Sequence, residues 1–245
     1  MNNNNNASTS KFKRILLKLS GEIIAGDKAV GFSKSSLYHL RDEINDAYRM
    51  NCEIGIVIGG GNIFRGKEAV SDFGVDRVNA DYMGMLATLI NALLLQNILE
   101  SISLPTRVMS AINVSELAEP FIKRRALRHI EKGRIVIFAC GTGNPFFTTD
   151  TAAVLRAIEI ESEAIFKGTK VDGIYDRDPQ KYPDARFIKK ISYDQVLEQK
   201  IEVMDATAFS LAMENNIPIY VFNILKKGNL RKILHGESVG SVVTI

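Results

Sequence analysis

"IVIGGGNIFRGKE", residues 56–68, runs a short apolar stretch into three glycines, and from Gly61 it reads G-x-x-x-x-G-K. A Walker A loop has this spacing, but Ser or Thr must follow the lysine, because that hydroxyl holds magnesium. Here Glu68 follows Lys67, and the sequel KEAVSDFG is a poor start for a helix. The stretch is either a P-loop with a broken end or a phosphate site of another kind.

The surroundings decide the fold class. Residues 12–19, 53–58, 106–110, 134–140, 164–167, 217–222 and 241–245 read as strands. Residues 33–50, 81–102, 115–132, 149–160, 205–215 and 228–235 read as helices. IVIFAC, within 134–140, is so apolar that both its faces must be covered, as in a parallel sheet. Residues 168–188, with Pro179 and Pro183, read as loop. Strands alternating with helices predict one α/β domain over residues 11–245 with a mainly parallel sheet. Residues 1–10, MNNNNNASTS, read as a disordered polar tail with none of the regions of a secretory signal. The 81–102 helix is apolar nearly all the way round, which predicts burial in a core and, in part, a subunit contact. Asn91, Gln96 and Asn97 interrupt its richest part, and nothing reaches the roughly 20 apolar residues of a membrane span.

A net charge of +3 makes no case for nucleic-acid binding. The basic run Lys123, Arg124, Arg125 and Arg128 reads as a solvated helix face. Cys52 and Cys140 lie in apolar runs and read as reduced thiols. His39, His129 and His235 fall in separate segments, without metal-ligand spacing.

Four strand ends carry unusual residues, and in open α/β sheets ligands gather at the carboxyl ends of strands. Lys18, in K-L-S-G (18–21), follows Ile15, Leu16 and Leu17 and needs an anion if it is not a snorkelling edge lysine. Gly59, Gly60 and Gly61 allow close approach to phosphate oxygens, with Arg65 to fork onto them, unless they form a plain turn. G-T-G-N-P-F-F-T-T-D (141–150) precedes a helix, where Thr148 and Thr149 suit the N-cap and Asp150 either caps or acts. K-G-T-K-V-D-G-I-Y-D-R-D-P (167–179) is a charged loop of unknown role on residue grounds alone. Together they supply what phosphoryl transfer asks for: cations, glycine backbones and one placed acid.

These segments, with D-Y-M-G-M-L-A-T (81–88), occur in the order of the bacterial UMP kinases, and residues 12–245 resemble that family throughout. It belongs to the amino-acid-kinase fold, a three-layer αβα sandwich with a mainly parallel central sheet, and uses no Walker A loop. The resemblance implies transfer from ATP to UMP with Mg²⁺, in the cytoplasm. It implies that Lys18, Leu19, Ser20, Gly21, Gly61 and Arg65 meet the ATP phosphates, and that Thr169, Tyr175 and Asp178 hold the adenosine. It places UMP against Gly60, Asp81 and the run Thr142, Gly143, Asn144, Pro145, Phe146, Phe147, Thr148 and Thr149. Lys18, Arg65 and Asp150 are the implied catalytic residues. Gly26, Asp27, Lys28, Ala29, Val30 and Gly31 lie where the family places elements of its GTP response, UTP is an implied inhibitor, and a homohexamer is the family precedent. A different small-molecule kinase of this fold and a non-catalytic nucleotide or oxyanion binder are the other classes open.

Overall fold

All six residues of β1 (Arg14–Leu19) are buried, and their side chains alternate between two cores. Ile15, Leu17 and Leu19 enter one, and Leu16 enters the other, so helices must cover both faces. The computed structural model describes residues 9–245; residues 1–8, most of the expected tail, lie outside these described residues, and Ser10 already donates to Met50 O at 3.2 Å.

Beside β1 lie β2 (Glu53–Ile58) and β6 (Ala164–Thr169). Beyond β2 the sheet continues with β5 (Ile135–Ala139), β3 (Thr106–Ser110) and β4 (Glu119–Pro120). Beyond β6 it continues with β10 (Ile219–Asn223), β11 (Ser241–Thr244) and β9 (Lys190–Ser192). Every pairing in this sheet is parallel except β10 with β11. The chain leaves the central pair in opposite directions, from β1 to β2 and from β6 to β10, and the crevice at their carboxyl ends is the switch point where such sheets take ligands. Lys18 pairs in register with Lys167 there.

One face of the sheet carries α1 (Gly21–Ala25), α2 (Lys34–Arg49), α4 (Arg77–Glu100) and α9 (Asn229–Leu234). The other carries α5 (Lys123–Glu131), α6 (Thr149–Glu159), α7 (Tyr193–Glu198) and α8 (Ala206–Glu214). Helix α3 (Gly66–Phe73) packs beside α4, and β7 (Ile174–Tyr175) pairs with β8 (Phe187–Ile188) in a separate hairpin.

Four expectations need correction. KEAVSDFG does form a helix, α3, closed by Gly74 in the left-handed conformation (φ 65°). Helix α4 starts at Arg77, because the Asp76 carboxylate caps the N–H groups of Val78 and Asn79; Asp81 sits one turn inside, not at the head. Residues 115–132 are not one helix: Phe121 N–H bonds Ser110 O at the sheet edge, and α5 begins only at Lys123. The 168–188 loop holds a hairpin. By length and composition α4 could cross a membrane, yet Ala80, Ala87, Ala92, Leu95 and Leu99 bury one of its faces against the sheet.

Phe166 is fully buried in β6, with ring centroids 5.2 Å from Phe12 and 5.1 Å from Tyr220. Phe166→Ala is expected to lower the unfolding free energy by about 3–5 kcal/mol, read from the urea midpoint. A loss below about 1 kcal/mol would show that this cluster relaxes into the gap.

Candidate active site

Lys18 and Lys167 point to the same face of the sheet as Leu16 and Ile165, toward the first turn of α6. Asp150 stands between them. Lys18 Nζ is 2.5 Å from Asp150 Oδ1, and Lys167 Nζ lies 2.9 Å from both carboxylate oxygens and also donates to Val203 O. The Thr148 side chain caps α6 through Asp150 N–H at 3.0 Å, which fixes where the carboxylate starts. Burial pushes the Asp150 carboxyl up, but the two ammoniums outweigh it and hold it below the usual carboxylate value. Burial and the Lys18 charge lower Lys167 from 10.5 to about 8, with Asp150 opposing them. Two ammoniums on one carboxylate leave a surplus positive charge with little water, 6% and 9% exposure for the two lysines. Such a charge favours an anion beside it.

The K-L-S-G and glycine loops sit back to back. Gly59 N–H bonds Leu19 O at 2.9 Å, and a Cβ on Gly21 would come within 2.9 Å of Gly61 N. A Cβ on Gly60 would lie 2.8 Å from Ala87 Cβ, so the loop must be glycine to lie this close to α4. Leu19 brings only its backbone, since its side chain is in the core, and Ser20 precedes α1 as its N-cap residue. Arg65 is drawn to the same end of the sheet but is half-exposed, paired with Glu22 at 2.8 Å and Glu68 at 3.7 Å.

Gly60, Gly61, Asp81, Phe147, Thr148 and Thr149 line a cleft of about 290 Å³. Asp81 accepts from Phe146 N–H at 2.7 Å and from Arg77 at 2.8 Å, so it holds the 141–148 loop against α4. Within that loop Gly143 and Phe146 are left-handed (φ 80° and 71°). Thr142 and Asn144 bond each other locally, Asn144 and Phe146 are exposed, and Pro145 is half-buried. Tyr175, Asp178 and Val203 line a second cleft of about 400 Å³. Thr169 is not among its walls; its hydroxyl bonds Val171 O at 2.6 Å. Residues 26–31 are tied at both ends, with Gly31 N–H on Asn62 O at 2.7 Å and Gly26 O accepting from Lys170 at 2.9 Å.

Two contributors escaped the sequence reading. Lys167 reads as the last residue of the 164–167 strand and the first of a charged segment, with no role assigned, although AIFKGT places a lysine in an apolar strand just as RILLKL does. Asp205 caps α8 and also accepts from Thr148 and from Thr151 at 3.0 Å, tying α8 to α6. No three His, Cys, Asp or Glu side chains gather as a metal site among the described residues.

The model of the amino acid kinase family matches residues 13–223. A UMP kinase from Bacillus anthracis is 43% identical with a TM-score of 0.92, over 95% of this chain and 96% of that one. A UMP kinase from Ureaplasma parvum is 38% identical with a TM-score of 0.89, over 95% and 99%. A uridylate kinase from Archaeoglobus fulgidus is 26% identical with a TM-score of 0.71, over 94% and 99%. The chain belongs to the amino acid kinase family, and within it stands with the bacterial UMP kinases.

Proposed function

We propose that the chain transfers the γ-phosphoryl group of ATP to the phosphate of UMP, giving ADP and UDP. The observation that carries this reading is the buried Lys18–Asp150–Lys167 cluster with its surplus positive charge. Asp150 follows Thr149, a wall of the first cleft, and Lys167 donates to the carbonyl of Val203, a wall of the second. The acceptor phosphate is already anionic at neutral pH, so no general base is required. The work left is orienting two anions and tempering their repulsion. In this reading Lys18 and Lys167 attract the transferring phosphoryl oxygens, Asp150 holds both ammoniums, and backbone N–H groups of the glycine loop face the phosphates. Arg65 turns from Glu22 onto the phosphates, Asp81 and residues 142–149 hold UMP, and Tyr175 and Asp178 hold the adenosine.

The nearby carboxylates of Asp150 and Asp81 are both already engaged by cations. Among the described residues no carboxylate cage for Mg²⁺ stands out, and in this reading Mg²⁺ bound with ATP would supply charge neutralisation at the phosphates. The half-exposed Met83, Leu86 and Ile90 of α4 support a subunit contact and hence the proposed homohexamer. Activation by GTP involving residues 26–31, inhibition by UTP and a cytoplasmic setting complete the proposal.

An ADP-release assay with UMP, CMP, dUMP, carbamate, acetylglutamate and aspartate tests it. UMP is expected to lead each non-uridine acceptor by about a hundredfold or more in kcat/KM. A better acceptor, or no ADP at all, would reject the assignment. Lys18→Ala is expected to lower kcat by on the order of 10²–10³ with little change in either KM. If only KM rises, Lys18 supplies uniform binding and not transition-state charge.

Lys167 acts protonated, so kcat/KM is expected to fall as pH rises through about 8. Bound phosphates favour the ammonium, so the fall in kcat lies at higher pH. The stability sign is opposite: between about 8 and 10.5 the unfolded lysine keeps a proton that the folded one has lost, so this group adds stability as pH rises. Parallel activity and melting profiles separate the two, and activity that falls only where the protein melts would contradict the role given to Lys167.

A further inference from the structure

Helix α4 turns opposite characters to its two sides. Met83, Leu86 and Ile90 are exposed, whereas Thr88 and Asn91 lie at 3% and 0% exposure on the buried side. Polar groups in a core helix are costly unless bonded, and both are fully engaged. The Thr88 hydroxyl donates to Met85 O at 2.7 Å and accepts from Cys140 N–H at 2.8 Å. Cys140 is left-handed (φ 62°), at the point where the chain leaves β5 for the 141–148 loop. The Asn91 amide donates to Gly59 O at 2.6 Å and to Asn62 Oδ1 at 2.7 Å. Asn62, itself at 0% exposure, returns a bond to Asn91 Oδ1 at 3.1 Å. One helical turn thus grips both loops that meet at the strand tips, and a helix turn is rigid, with about 1.5 Å of rise per residue.

We propose that Thr88 and Asn91 are positioning residues that set the glycine loop and the 141–148 loop in register, so that the two phosphates meet in line. This rests on the kinase reading above. Misplacing reactants by about 1 Å can cost on the order of a hundredfold in rate, so the effect should fall on kcat.

The test compares Thr88→Val, Thr88→Ser and Asn91→Ala in the full-length enzyme, each shown by circular dichroism to be folded at the assay temperature. Thr88→Val removes the acceptor of Cys140 N–H at nearly constant shape. It is expected to lower kcat about 30- to 100-fold, with KM for ATP and UMP within about threefold. Thr88→Ser restores the hydroxyl and is expected to recover kcat to within about threefold of the parent. Asn91→Ala should repeat the Thr88→Val split and carries the test alone should Thr88→Val not fold. A folded variant without the hydroxyl or the amide that keeps the parental kcat overturns the proposal, and so does a change confined to KM. The parent is assayed alongside. If the parent phosphorylates another acceptor, the UMP assignment fails, and the positioning proposal is judged by the same kcat and KM split on that acceptor.

Discussion

The carboxylate of Asp150 between two lysines is the constraint on which the rest depends. Each lysine sits near the carboxyl end of a strand whose preceding residues are buried, and both lysines are themselves buried. Without Asp150 the pair would be two like charges side by side on neighbouring strands. With it the pair is held and its net charge is reduced to one. Removing one partner of a buried ion pair typically costs about 3–5 kcal/mol, because the other charge is left uncompensated. Asp150 is therefore as much a condition for assembling the β1–β6 centre of the sheet as a feature of the chemistry proposed for it. That the carboxylate arises in the first turn of α6, whose start is fixed by the Thr148 side-chain cap, links the 141–148 loop to the charge centre.

The D-Y-M-G-M-L-A-T stretch acquires a physical reading from α4. Asp81 holds Phe146, the bare Gly84 carbonyl and Ala87 lie against Gly60, and Thr88 holds Cys140. These positions share one side of the helix, by the three-and-four spacing of an α-helix. Tyr82, Met83 and Leu86 face away. Small residues are needed where the glycine loop touches, and polar ones where strained backbone must be bonded. Apolar residues remain for the outer side, where a second chain is proposed to cover them.

The central strands and longer helices were legible because their cores are built from local periodicity, as in α2 with Leu37, Leu40, Ile44 and Ala47. Of the short elements, α9 and β11 were legible and others were not. Helix α7 has six residues, held by the Ser192–Gln195 capping box and by the Tyr193 hydroxyl on Ile217 O, a partner distant in sequence. Strand β4 has two residues and exists because β3 offers it an edge. At the site, Lys18 and Asp150 were legible from their odd settings, and the structure puts them in contact. Lys167 was placed at the end of a short strand, but its role was hidden until strand pairing set it in register with Lys18. The Asp205 link joins residues more than fifty apart, and nothing local announces it.

A site of this kind carries a cost in the absence of its ligand. One uncompensated charge in a dry environment destabilises the empty protein, and the low value of Lys167 expresses the same cost as a readiness to lose its proton. In the proposed reading an incoming phosphate reverses both effects, since it adds a counter-charge to the one that Asp150 supplies. In that reading, binding of an anionic nucleotide and relief of folding strain are one process, and the affinity proposed for phosphate is drawn partly from instability built into the sheet. A third carboxylate in the cluster would make the empty protein more comfortable, but it would also repel the two anions that the strand tips are proposed to bring together.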